Sequence, residues 1–125
     1  METSQVDCSQ FLHVAINVTD LAKASEFYGG ILQLPLAPRN LNFPGLWYQI
    51  GPNQIHLIVS ETVAQYHPDH RWGRNPHLAL GVKDLEAIKE RLRAAGYGFQ
   101  TSHSGRAAIF VQDADQNIIE LTQMG

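Results

Sequence analysis

The stretch His13-Val-Ala-Ile-Asn-Val-Thr-Asp-Leu21 returns without gaps as His77-Leu-Ala-Leu-Gly-Val-Lys-Asp-Leu85. A second pair of segments, Asn53-Gln-Ile-His-Leu57 and Asn117-Ile-Ile-Glu-Leu121, keeps the same register. Positions 13 and 77, like positions 56 and 120, are 64 apart. One register therefore relates two halves of the chain. Each half contributes two good metal-ligating side chains at matching places: His13 and His56 in the first, His77 and Glu120 in the second. This pattern points to a metal site built from a duplicated module.

Each half opens with period two and then changes to helical spacing. In 13–18, Val14, Ile16 and Val18 oppose His13, Ala15 and Asn17; in 77–82, Leu78, Leu80 and Val82 oppose His77, Ala79 and Gly81. Asp20 and Asp84 follow as N-caps, because a carboxylate there accepts the orphan N–H groups of a starting helix. The stripe Leu21, Ala24, Tyr28, Ile31, Leu32 predicts a helix interrupted near Gly29-Gly30. The stripe Leu85, Ile88, Leu92, Ala95 predicts one ended by Gly96. Later strands pair as hairpins, 46–50 with 54–59 around Gly51-Pro52-Asn53, and 107–112 with 118–122 around a polar turn. Weaker strands are expected near 36–39 and 98–102. In the hairpin strands the aliphatic rows Ile55, Leu57, Val59 and Ile119, Leu121 leave His56 and Glu120 on the opposite face. All four candidate ligands thus oppose the side that packs on the helices.

The global properties exclude several classes. The chain has 125 residues, 44% hydrophobic and 17% charged, with a formal charge of −3. These values suit one compact domain and give no electrostatic reason to bind nucleic acid. Cys8 is the single cysteine, so no internal disulfide forms and a reducing, cytoplasmic setting is expected. The first ten residues lack a secretion-signal pattern, and no apolar run is long enough to span a membrane.

These residues resemble the vicinal oxygen chelate superfamily, which includes glyoxalase I, fosfomycin-resistance proteins, extradiol dioxygenases and bleomycin-resistance proteins. The resemblance rests on the segment from His13 to Tyr28, on Asn75-Pro-His-Leu-Ala-Leu-Gly-Val82 and on Asp113-Ala-Asp-Gln-Asn-Ile-Ile-Glu-Leu121, and it covers 11–122. It implies an α+β fold of two βαβββ modules forming one cupped, mixed eight-stranded sheet with flanking helices. The implied organisation is an N-terminal tail over 1–10 and one domain over 11–125. Within it, module one spans about 11–60, a connecting loop 61–75 and module two 76–123. The family's metal ligands lie on the first and last strands of each module, where His13, His56, His77 and Glu120 stand.

Three imidazoles and one carboxylate suit one divalent ion per site, whether Ni, Zn, Co, Fe or Mn, and leave two cis positions for adjacent substrate oxygens. Glu120 alone among the ligands can double as a strong proton acceptor, so it is the candidate general base. The expected activity is glyoxalase-like isomerase or lyase chemistry on a small chelating substrate. Glyoxalase I sequences usually carry glutamate where His56 stands. The alternatives are an Fe(II) extradiol-type dioxygenase using His13, His77 and Glu120, a fosfomycin-resistance-like thiol transferase, or a drug-binding protein without turnover. Arg106 is the candidate anion contact, since a guanidinium matches carboxylate or phosphate in a two-pronged fork. Trp47, Tyr48 and Trp72 are candidate substrate-lining residues, and Arg71 and Arg74 are weaker anion contacts. His67, His70 and His103 are expected in solvated loops. Exposed sheet edges and the resemblance both lead to a homodimer with its sites near the subunit interface.

Overall fold

The computed structural model describes residues 6–64 and 67–125. Half of the expected N-terminal tail and two positions of the connecting loop lie outside the described residues. The chain folds as α+β, with two modules of related order. Module one comprises β1 (His13–Val18), α1 (Leu21–Ser25), β2 (Gly45–Ile50) and β3 (Asn53–Val59). Module two comprises β4 (Leu78–Val82), α2 (Leu85–Ala94), β5 (Phe99–Thr101), β6 (Ala108–Gln112) and β7 (Ile118–Gln123).

The single eight-stranded sheet expected from the resemblance is corrected to two sheets within one chain. These are a three-stranded sheet ordered β1-β3-β2 and a four-stranded sheet ordered β4-β7-β6-β5. In both, the opening strand runs parallel to the closing one, β1 with β3 and β4 with β7. The strand expected near 36–39 shrinks to one bridge between Leu36 and Tyr48. Pro35 and Pro38 flank it and cannot donate to a ladder, so pairing does not propagate. β1 and β4 are left as sheet edges.

Local chemistry explains the helices. Asp20 accepts from Lys23 N at 3.1 Å and Asp84 from Ala87 N at 3.1 Å, as N-caps do. Helix α1 lasts five residues and widens into a π-helical turn over Glu26–Ile31. There Leu32 N bonds Phe27 O at 3.0 Å, five residues back. The wider turn faces both Phe27 and Tyr28 inward, each 0% exposed. Helix α2 ends as expected: Gly96 has φ +83°, Gly96 N bonds Arg93 O and Tyr97 N bonds Leu92 O at 2.8 Å. That pair of bonds is a Schellman cap.

One core joins the modules, with Phe27, Tyr28 and Leu57 from the first and Leu92, Ile109 and Leu121 from the second. A polar knot locks the same junction. The Asp113 carboxylate, 5% exposed, accepts from Tyr28 Oη at 2.7 Å, Asn117 Nδ2 at 2.8 Å, and Asp115 N and Asn117 N at 2.9 Å each. Burial, and then the Asp113 charge, push the Tyr28 hydroxyl well above its ordinary pKa, so it stays a donor. Beside it, Thr19 N and Oγ1 donate to Asp115 at 2.9 and 2.7 Å. Among the described residues no helix is long and apolar enough to cross a membrane.

Candidate metal centre

Strand register decides which side chains share a face. In the antiparallel β2–β3 pair Trp47 stands opposite His56, and Tyr48 opposite Ile55. The ring of His56 is therefore sandwiched. Trp47 stacks on one side at 4.1 Å between centroids, and His13 on the other at 4.0 Å. Tyr48 faces the other way, into the core, with 1% of its surface exposed. Its place in the substrate-lining set is corrected for that reason, since neighbours on a strand point to opposite faces.

The tautomer of His56 follows from a side-chain relay. Gln49 Nε2 donates to the carbonyls of Gly51 and Asn53, which fixes its amide orientation. Gln49 Oε1 then accepts from Gln54 Nε2 at 2.7 Å, and Gln54 Oε1 from His56 Nε2 at 2.7 Å. Neutral His56 thus keeps its lone pair on Nδ1. Burial lowers its pKa, with the nearby His13 and Arg39 adding to the effect, so the neutral form needed for ligation is favoured.

The second module holds the other pair. His77 Nδ1 lies 2.8 Å from the Asn75 carbonyl, which can only accept, so that nitrogen carries the proton. Neutral His77 then turns the lone pair of Nε2 toward Glu120 Oε1, 3.2 Å away. Two acceptors this close need a proton or a cation between them. Two donors bound cis to one ion at about 2.1 Å are separated by about 3 Å, so the pair fits half of a coordination sphere. The Asn75 carbonyl orients the imidazole as an outer partner does at a metal centre.

Glu120 is 7% exposed and fully engaged. Thr122 Oγ1 donates to its Oε2 at 2.6 Å and Arg106 Nη1 at 3.3 Å. Burial alone would raise its pKa, but the hydrogen bond from Thr122 and the charge and hydrogen bond of Arg106 outweigh it and hold the carboxyl below its ordinary 4.5. A lowered folded-state pKa adds stability above the unfolded value that vanishes as pH falls through the native one. The stability difference between wild type and Glu120→Gln, from urea midpoints, should therefore shift against the wild type between pH 7 and the acid side of pH 4.5. An unchanged difference would show that these bonds do not couple to folding.

The structure thus gathers the four candidates as two pairs on two sheets. No group of three or more His, Cys, Asp or Glu side chains converges among the described residues. His13 and His56 form a stacked ring pair and His77 and Glu120 a polar pair, and among the described residues the two pairs do not meet. Arg106 joins the second pair. Trp72 begins a 3-10 turn, Trp72–Arg74, packed on β6 and β7. His70 and His103 are exposed, whereas His67 is half-buried with Nε2 2.8 Å from the Gln116 carbonyl, so its assignment to solvent is corrected. Sequence patterns missed Asn75 and Gln100, which brace the loop before β4. Polar residues with no repeating spacing leave no periodic signal.

Two related modules, each opening with a strand and a helix and closing with antiparallel strands, define a two-module α+β class. The chain belongs to the glyoxalase/bleomycin resistance protein/dioxygenase superfamily, whose family model matches residues 10–121. A relative named "probable lactoylglutathione lyase" from Vibrio cholerae is 31% identical over 91% of this chain and 90% of its own length. The lactoylglutathione lyase of Haemophilus influenzae is 30% identical over 91% of this chain and 92% of its own. In fold, the chain resembles the fosfomycin resistance protein FosX of Listeria monocytogenes. The TM-score is 0.75 at 18% identity, covering 95% of this chain and 94% of that one.

Proposed function

We propose that this protein is a divalent-metal-dependent, glyoxalase-like enzyme that moves a proton on a small substrate chelating through adjacent oxygens. The observation that carries this reading is the pairing of His77 Nε2 with Glu120 Oε1 at 3.2 Å, two electron-pair donors directed at one point. The kinship with lactoylglutathione lyases supports the lyase class. When bound, a divalent ion supplies Lewis-acid polarisation of the substrate's paired oxygens.

The chain's own groups do the rest. Its lowered pKa keeps Glu120 ionised and able to accept a proton at neutral pH. Thr122 and Arg106 hold Oε2, while Oε1 faces His77. If a substrate anion draws Arg106 away, Glu120 loses a stabilising charge and becomes a stronger base. Trp47 and Arg106 are the substrate contacts on the two sheets.

The complete site is proposed to form in a homodimer, with His13 and His56 from one subunit and His77 and Glu120 from the other. Support comes from the two free edges. Among the described residues β1 pairs only with β3 and β4 only with β7, while His13 starts β1 and His77 immediately precedes β4. Apolar grooves bordered by Val14 and Leu78 run between these edges. Unpaired strand edges beside apolar surface invite a second copy.

Metal analysis of tag-free protein purified without chelators should find one divalent ion per subunit. The loaded protein should turn over the hemithioacetal of glutathione and methylglyoxal. Absence of stoichiometric metal under every loading condition defeats the proposal.

A further inference from the structure

A cavity of about 350 Å³ opens between the chain that follows the π-helical turn, the end of β2, and β4 with α2. Leu32, Leu34, Ile50, Leu80, Val82 and Ile88 form its walls. Leu80 pairs with Leu121 and Ala79 with Glu120, so alternation turns the leucines to the sheet face opposite Glu120. The cavity therefore lies on the helix side, away from the candidate ligands. We propose that it binds a small alkyl monocarboxylate, with the chain among these aliphatic side chains and the charge beside Lys83. This site does not depend on the function proposed above.

The walls fit an alkyl chain. All six side chains are half-buried, and the floor reaches Leu121, which is fully enclosed in the core. Aliphatic surface left open at that depth is unfavourable in water, and an apolar ligand removes it from solvent. Among the described lining residues there is no aromatic ring, so no stacking partner favours a planar ligand. The volume stands at the lower end of the about 300–1,000 Å³ usual for small-molecule sites, which suits a short or medium chain.

The charge fits a carboxylate. Lys83 is the sole charged residue among the described lining residues. Its ammonium has no ion pair or hydrogen bond among the described residues, and neither does the amide of Gln33. An ammonium offers three donors and no acceptor, and the Gln33 amide adds two more donors. The opening thus presents donors and one uncompensated positive charge above an apolar interior, which selects an anionic head over a neutral or cationic one of the same shape.

Gln33 is an independent sign of a site. Its φ is +56°, in the left-handed region where glycine is the default. Hydrogen bonds on both sides hold it there: Leu32 N to Phe27 O and Leu34 N to Tyr28 O at 3.0 Å each, and Gln49 N to Pro35 O at 2.8 Å. Residues locked in a disfavoured conformation by their surroundings cluster at ligand clamps. Glycine would serve the turn alone at lower cost, but it would leave no amide at the opening.

Calorimetric titration of the full-length protein with sodium octanoate, at constant ionic strength, tests the inference. Saturable binding of one octanoate per chain is expected, weakening about two- to fourfold for each CH₂ removed down to butanoate. Octan-1-ol, which lacks the charge, should bind at least about threefold more weakly. Lys83→Met keeps the apolar stem, so it should lower octanoate affinity to the octanol level and leave octanol unchanged. Gln33→Gly should raise the melting temperature while weakening octanoate, because glycine takes that φ freely but has no amide to donate. His77→Ala should bind octanoate as wild type does, which separates this cavity from the metal centre. The inference is overturned by no saturable binding, by an affinity independent of chain length, by one unchanged in Lys83→Met and Gln33→Gly together, or by loss of binding in His77→Ala.

Discussion

His13→Ala and Glu120→Ala chains, each expected to be inactive alone, should regain about a quarter of wild-type turnover when unfolded and reassociated as an equimolar mixture. The value follows from two-fold symmetry. Random pairing makes about half of the dimers hybrids, and one of the two sites in each hybrid keeps all four ligands. Structural support lies in the division of the ligands: His13 and His56 share one sheet, His77 and Glu120 the other, and no three converge within the chain's described residues. Turnover of the mixture against each parent is the measurement, with light scattering as the control on assembly. A dimer without complementation would place each site within one chain, and a monomer would remove the shared site altogether.

Asp113→Ala should cost about 2–3 kcal/mol of folding stability, measured from urea midpoints with the slope held in common. Four donors converge on that carboxylate, and two of them, Tyr28 Oη and Asn117 Nδ2, are side chains. Alanine strands the buried Tyr28 hydroxyl and takes one acceptor from two half-buried turn amides, while Asn117 Nδ2 keeps the Asn17 carbonyl. Tyr28→Phe removes a single bond and should cost about 1 kcal/mol. Asp113→Asn should fall between the two, because its carbonyl still serves the backbone amides while its amide group faces the Asn117 donor. A loss below about 1 kcal/mol for Asp113→Ala would mean that water or a shifted turn satisfies those donors.

Much of this architecture is legible in the residues themselves. The repeat of 13–21 in 77–85 gives both opening strands and both N-caps, because alternation and a capping carboxylate are local properties. The face of β3 that carries His56 also follows, since Ile55 and Leu57 alternate with it. Period two separates Trp47 from Tyr48 equally well, and grouping them as one aromatic lining overlooked it. The π-helical turn was hidden: the stripe from Leu21 to Leu32 fits helical spacing, while burying Phe27 and Tyr28 together is a demand of the tertiary core. The division into two sheets was hidden too, because which edges meet depends on contacts between modules and not on any strand's own pattern. β7 shows the same limit. Ile118, Ile119, Glu120 and Leu121 are all buried, so its second face is covered by neighbours that alternation cannot reveal.

The bond from Tyr28 to Asp113 spans 85 residues of chain. At a synthesis rate of about 5–20 residues per second, roughly 4–17 s separate the appearance of the hydroxyl from that of its acceptor. Through that interval the Tyr28 hydroxyl, buried in the finished fold, lacks its acceptor. Nascent module one therefore waits as an unfinished half, and the turn at 113–117 is the step that closes it. The duplicated halves look like independent units on paper; on the ribosome they mature together, and the last strand to emerge completes the first.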